Sequence, residues 1–350
     1  MTTRSPSGGT HFEREIREQP VVIAGFLDLG LPAVSRVARA LRCRDVRYVL
    51  VAARGSSDNA ARYAQYLFGE RMRLPVALAA PSLESLYGAR AVPHEIGGLV
   101  IGISQSGRSP DIVSVLAAAR ANGAPTVAIT NDAKSPLAVA AEFTIPLLAG
   151  LERSVAATKT YTGSLAALAS LVTELRDDER DRAALRMVPT ALSLALDSAF
   201  TNVPLVDHLA PASHVLTVGR GYNYATAMEI ALKLRELTST LAEGFSSADL
   251  MHGPIAAITP DTRVILVAAP GPTLSSIQET AAELERRGAH TITIGGQTAG
   301  ADLILPNDVP EWLSPIVSVI PGQVLALRWA ELREQPIDKP GLLTKITETL

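Results

Sequence analysis

An apolar strand that runs into Arg-Gly occurs twice in this chain, at Val49–Gly55 and at Val215–Gly221, with the arginines at positions 54 and 220. Two further matches keep the register. Ile103-Ser-Gln-Ser-Gly107 corresponds to Val267-Ala-Ala-Pro-Gly271, with the glycines at positions 107 and 271, and Thr126–Ile129 corresponds to Thr291–Ile294 at nearly the same spacing. Three elements in one order and one register make chance a poor explanation, so an internal duplication is inferred. Within the first copy, short apolar runs at 48–52, 99–103 and 126–130 alternate with helical patterns at 58–68 and 111–121. Runs without polar alternation, joined by helices, belong to parallel strands covered on both faces. The expected fold is α/β: two duplicated subdomains, each a doubly wound parallel sheet flanked by helices.

The copies differ where it matters chemically. In the first, Leu99–Ile103 breaks into Ser104-Gln105-Ser106-Gly107-Arg108-Ser109 and then opens a helix. Hydroxyls, a glycine and a helix N-terminus after a strand form a cradle for an anion, here read as a phosphate. The second copy carries Ala268-Ala269-Pro270 at that place and lacks those side-chain donors. A purely structural need would be shared by both copies; the asymmetry points to a ligand in the first.

Composition and charge remove several function classes. The formal charge of −3 is spread along the sequence without a basic stripe, so no nucleic-acid partner is expected. No stretch approaches the ~20 continuous apolar residues of a membrane span, and residues 1–11 read as a loose polar tail. With one cysteine, Cys43, an intrachain disulfide is impossible and a cytoplasmic setting is expected. The six histidines show no metal-ligand spacing. Gly219-Arg-Gly221 lacks the third glycine of a dinucleotide fingerprint, so neither metal nor organic cofactor is expected. The mixed charges of Glu174–Arg182 read as solvated helix ends or a linker, which places the join between the halves between there and Pro204.

A second constellation lies in the second copy. Glu229, Lys233 and Glu236 stand at i, i+4 and i+7, on one face of a helix. Gly219-Arg-Gly221 precedes that helix and Asp249-Leu-Met-His252-Gly-Pro254 follows it. A histidine beside Gly-Pro, in a loop beyond an acidic helix, is a site candidate.

Taken in order, Ser104-Gln-Ser-Gly, Val155-Ala-Ala-Thr-Lys159, Glu229–Glu236, Met251-His-Gly-Pro254 and Asp338-Lys-Pro-Gly-Leu-Leu-Thr-Lys345 resemble the sugar isomerase (SIS) family. More closely, they look like the isomerase half of glucosamine-6-phosphate synthases and stand-alone glucosamine-6-phosphate deaminases. The resemblance runs from about Phe12 to the C-terminus. It implies an N-terminal helical segment at 12–44, SIS subdomains at 45–190 and 200–334, and a C-terminal active-site tail at 335–350. It also implies roles. Ser56 and Ser57 would hold the sugar, Ser104, Gln105, Ser106 and Ser109 the phosphate and hydroxyls, and Val155 would line the substrate site. Glu236 would move a proton between C1 and C2, His252 would open the sugar ring from a neighbouring subunit of a homodimer, and Lys345 would contact the carbonyl end of the open chain. Glu229 and Lys233 would be charged neighbours of the base and, with the serines, substrate-binding residues.

Three positions depart from the family pattern: Arg54 stands where the synthase has cysteine, Ala157 where serine is usual, and Arg108 where an acid often follows Ser-Gln-Ser-Gly. The sequence begins Met1-Thr2, so a glutaminase domain with an N-terminal cysteine is not expected in it. The expected reaction is therefore ammonia release, converting glucosamine 6-phosphate to fructose 6-phosphate. The alternatives are β-elimination of water from N-acetylglucosamine 6-phosphate and non-catalytic sensing of a sugar phosphate.

Overall fold

The computed structural model describes residues 9–89, 97–201, 203–209, 212–341 and 344–345. Two helices, α1 (His11–Leu29) and α2 (Leu31–Arg42), lead into a five-stranded sheet of β1 (Tyr48–Ala52), β2 (Val76–Leu78), β3 (Gly98–Ile103), β4 (Thr126–Thr130) and β5 (Phe143–Pro146). Its helices are α3 (Ser56–Met72), the short α4 (Ser82–Ser85), α5 (Pro110–Ala121) and α6 (Pro136–Ala140). Helices α7 (Lys159–Arg176) and α8 (Glu179–Thr201) cross to the second sheet, made of β6 (His214–Gly219), β7 (Leu241–Ser246), β8 (Arg263–Ala268), β9 (His290–Gly295) and β10 (Leu303–Ile304). With it come α9 (Asn223–Thr238), α10 (Ser247–Met251), α11 (Leu274–Arg286) and α12 (Ser314–Leu332).

Both sheets are parallel and wound alike. The first runs β2-β1-β3-β4-β5 and the second, read from its β7 edge, β7-β6-β8-β9-β10. β1 and β6 begin at Tyr48 and His214, β3 and β8 at Gly98 and Arg263, which is the spacing of the repeated motifs. The duplication read from sequence is therefore present strand for strand. In each sheet the winding reverses between the first and third strands, and an open parallel sheet presents its ligand crevice outside the carboxyl ends there.

The interior differs from a pair of separate domains. One continuous core takes in α1, α7, α8 and α12 together with strands of both sheets. α8 is unbroken through 190–200, the interval expected between subdomains. It buries Leu185, Val188, Leu192, Ala195, Leu196 and Ala199, so packing against the core makes that stretch a helix. The charged corner at 174–182 is a helix–helix turn in which Arg182 pairs with Glu174 at 2.8 Å and Arg176 with Asp181 at 3.1 Å. α1 begins at His11, within the segment expected as tail, because Thr10 caps it by accepting from Glu13 N at 3.1 Å. Residues 1–8 lie outside the described residues.

The stretch Glu311–Leu332, which includes α12, is apolar and long enough to cross a membrane by composition, yet 94% of its most apolar window is buried in the fold. It packs on α9 so closely that a Cβ on Gly322 would stand 2.3 Å from Ile230 Cγ1. Interiors are packed at crystal density and give little room to a new methyl. Gly322→Ala is therefore expected to lose about 1–3 kcal/mol in urea unfolding, and Gly322→Ala/Ile230→Val to regain part of that loss; a single variant as stable as wild type would contradict this packing.

Candidate functional site

The two loops at the switch point of the first sheet, after β1 and after β3, form one end of a cavity of about 290 Å³. It is lined by Arg54, Gly55, Ser104–Ser106 and Ser109 from those loops, by Ser56 and Ser57 at the start of α3, by Glu152, Val155 and Ala157, by Glu236 from the second half, and by Thr344 and Lys345 from the tail. That volume is at the small end of small-molecule sites.

The cradle loop has the backbone its sequence implies. Gly107 has φ +62°, and a Cβ there would meet Ser135 Oγ at 2.1 Å, so only glycine fits. Its N–H donates to Ser104 Oγ at 3.1 Å, and that of Arg108 to Ser106 Oγ at 3.3 Å. The loop then delivers Pro110 as the first residue of α5, leaving the helix N-terminus directed to the cavity end of the sheet. Gly55, also left-handed at φ +57°, turns the chain from β1 into α3.

The second half supplies the ionisable groups. On α9, Glu229 and Lys233 are fully buried and Glu236 is partly exposed to the cavity. Lys233 Nζ contacts Glu229 Oε1 at 3.4 Å and donates to Glu236 Oε2 and, at 3.2 Å, to Ser56 Oγ. Ser56 Oγ donates to Glu229 Oε1 and Asn59 Nδ2 to Glu229 Oε2, both at 2.8 Å. Burial pushes the Glu229 carboxyl up, against the pull of Lys233 and Asn59. Burial also opposes the charge on Lys233, but the two carboxylates outweigh it and hold the amine above the ordinary lysine value. This network ties the β1–α3 turn of one half to the acidic helix of the other.

The third wall is a second ion pair. Lys345 Nζ sits 2.7 Å from Glu152 Oε2, and Glu152 also accepts from Thr160 N at 3.0 Å and Thr160 Oγ1 at 2.7 Å. Burial works against ionisation of Glu152, yet Lys345 and Thr160 hold its carboxyl below the usual range. The tail arrives there because Asp338 accepts from the free N–H groups of His11 and Phe12 at the start of α1, each at 3.0 Å, while its carbonyl accepts from Val155 N at 3.2 Å.

Of the residues singled out in the sequence, Ser56, Ser57, Ser104, Gln105, Ser106, Ser109, Val155, Glu236 and Lys345 line one cavity. Glu229 and Lys233 do not: they stand one layer behind its wall, which corrects their placement as substrate-binding residues, since a fully buried side chain cannot reach a ligand. His252 is exposed at the end of α10 and does not line the cavity of its own chain. Sequence reading missed Glu152, which lies just before the Val155–Lys159 motif, and gave Arg54 no part in the site. Among the described residues, no three His, Cys, Asp or Glu side chains are grouped to hold a metal ion.

The corresponding loop in the second half is closed by the chain itself. Glu311 accepts from Thr273 Oγ1, and a Cβ on Gly271 would meet Glu311 Oε2 at 2.6 Å.

The family model of the SIS domain matches residues 42–174 and 208–302. Among curated proteins, the glutamine–fructose-6-phosphate aminotransferase (isomerizing) of Zymomonas mobilis is 36% identical over 96% of this chain, and that of Halobacterium salinarum 33% over 97%. The chain spans 58% and 59% of the length of these two relatives. A candidate phosphosugar isomerase of known structure from Silicibacter pomeroyi DSS-3 superposes with a TM-score of 0.86 at 35% identity, covering 94% of this chain and 99% of that one. The glucosamine-6-phosphate deaminase of Thermotoga maritima shares the fold, with a TM-score of 0.81 at 22% identity over 97% of this chain and all of that one.

Removing the cation from between two carboxylates leaves buried charge unpaired. Lys233→Met is expected to destabilise the protein by about 3–5 kcal/mol in urea unfolding, and Lys233→Met/Glu229→Gln to recover much of it. A Lys233→Met protein within about 1 kcal/mol of wild type would show that the network is not ionic.

Proposed function

The chain belongs to the SIS-domain family, and from that premise we propose that it is a phosphosugar isomerase whose reaction is the deamination of glucosamine 6-phosphate to fructose 6-phosphate and ammonia. The observation that carries the reading is a single cavity with an anion cradle at one end and, lining the remaining space, the carboxylate of Glu236 and the Lys345 amine paired with Glu152. An aldose-to-ketose shift asks for that pairing: a phosphate grip to place the sugar, a base for the proton, and a cation for the oxygen that becomes negative.

In this reading the phosphate takes the hydroxyl and N–H donors of Ser104–Ser109, and its binding energy orients the opened sugar. Lys233 holds Glu236 Oε2, which leaves Oε1 to remove the proton from C2 and return it at C1. Lys345 steadies the C1 oxygen while the enolamine forms. Proton return at C1 leaves an iminium at C2; water adds there, the C–N bond breaks, and ammonia leaves with fructose 6-phosphate. Glu229 and Ser56 act as positioning residues through Lys233. The one cysteine, Cys43, is exposed at the end of α2 and does not line the cavity. Exposure of His252 outside its own cavity supports a role across a homodimer interface, where it would assist ring opening for the partner.

Purified protein given glucosamine 6-phosphate is expected to yield equal amounts of ammonia and fructose 6-phosphate; no ammonia at high enzyme concentration contradicts the reaction, and loss of one water from N-acetylglucosamine 6-phosphate without ammonia would assign β-elimination instead. Glu236→Gln should abolish turnover while retaining sugar-phosphate binding; a pure sensor would have no turnover to lose. Mixing Glu236→Gln with His252→Ala subunits is expected to restore activity that neither has alone; two inactive parents that stay inactive after demonstrated subunit exchange would place His252 outside the reaction.

A further inference from the structure

Arg54 stands at the end of β1, across the switch crevice from Ser104–Ser109, and its side chain is half exposed and lines the cavity. It is held there by Asp111. Arg54 Nε donates to Asp111 Oδ2 at 3.0 Å, and Nη2 of the same guanidinium lies 3.0 Å from that oxygen as an ion pair. Asp111 is completely buried in the first turn of α5, just beyond Ser109, and its other oxygen accepts from Ile112 N at 2.9 Å.

This arrangement places a carboxylate at the head of the helix to which the cradle leads. A phosphate dianion approaching that end meets the helix dipole and backbone N–H groups, which attract it, and Asp111, which repels it. Arg54 removes the repulsion. A guanidinium has five N–H donors in a fixed fork and stays charged at any working pH. With two nitrogens turned to Asp111 and half of the side chain open to the cavity, Arg54 keeps donors for an oxyanion. A lysine would present a point charge; the fork matches phosphate oxygens in pairs. Arg108 lies exposed on the cradle loop itself, a second cation near the same end.

We propose that Arg54 is a specificity-determining residue of this site: anchored by buried Asp111, it reads the charge of the phosphate group and sets the preference for dianionic phosphate esters over unphosphorylated sugars. The proposal rests on the reading of Ser104–Ser109 as the phosphate cradle. Ser104 and its neighbours supply neutral donors, which accept a hydroxyl group as readily as a phosphate oxygen. Arg54, which lines the cavity where Arg108 does not, supplies a formal charge that tells them apart.

The probe is inorganic phosphate, titrated calorimetrically into the full-length protein, together with kinetics on glucosamine 6-phosphate. Arg54→Gln should weaken phosphate binding by about tenfold or more, flatten its dependence on salt, and raise KM by a similar factor with kcat changed less than about threefold. Arg54→Lys, which keeps the charge, should regain part of the affinity. Asp111→Asn, which frees the guanidinium without removing it, should bind phosphate at least as tightly as wild type. Unchanged phosphate affinity in Arg54→Gln overturns the proposal, and so does a loss in Asp111→Asn equal to that in Arg54→Gln, since the pair would then be only a tie between two loops. Ser104→Ala separates the two readings: if it abolishes phosphate binding while Arg54→Gln does not, the cradle stands and the arginine's role falls. If wild type shows no saturable phosphate binding, both fall together.

Discussion

Lys233 is the side chain on which the rest of the site depends. A fully buried ammonium is stable only with opposite charge and hydrogen bonds around it, and its partners come from both halves: Glu229 and Glu236 on its own helix and Ser56 from the β1–α3 turn. Asn59 completes the set by holding Glu229. The halves therefore meet in one arrangement that satisfies every member, and in that arrangement Glu236 faces the cradle loop. Packing of α3 on α9 and the fused core bring the surfaces together; the ionic network sets how they meet.

Duplication made two crevices, and the chain has kept one. Both sheets reverse their winding at the same strands, so each offers a ligand position at its carboxyl edge. In the first half that position has hydroxyls, a helix N-terminus and open space. In the second it has Ala-Ala-Pro, and Glu311 lies where an anion would rest. The second half contributes instead through α9, and the tail through Lys345. One cavity thus draws on the switch loops of one copy, the helix of the other and a segment belonging to neither.

Much of this was legible in the sequence because it rests on local rules. The bounds of β1 and β4 follow from short β-branched runs, and the cradle from a strand that breaks into Ser-Gln-Ser-Gly. The i, i+4, i+7 spacing put Glu229, Lys233 and Glu236 on one face, but periodicity does not say which end of a face is buried. Contact with Ser56 and Asn59, far away in sequence, decides that the first two are wall and the third is site. Glu152 was hidden for the same reason: a lone acid in a loop carries no signal until the tail brings Lys345 to it. The unbroken α8 was misjudged because the pull of a shared core on residues 190–200 is tertiary. The role proposed for His252 across an interface would belong to an assembly, beyond what a chain's own periodicity encodes.

One sugar phosphate, in the reading proposed above, spans the cavity with its phosphate on the first half and its reacting carbons at the second. A crystal structure of the protein with sorbitol 6-phosphate, an open-chain analogue that cannot react, tests this directly. Phosphate oxygens are expected on Ser104, Ser106 and Ser109, with C1 and C2 beside Glu236 and the C1 hydroxyl toward Lys345. Phosphate bound elsewhere, or the sugar reversed so that C1 and C2 lie away from Glu236, would contradict it.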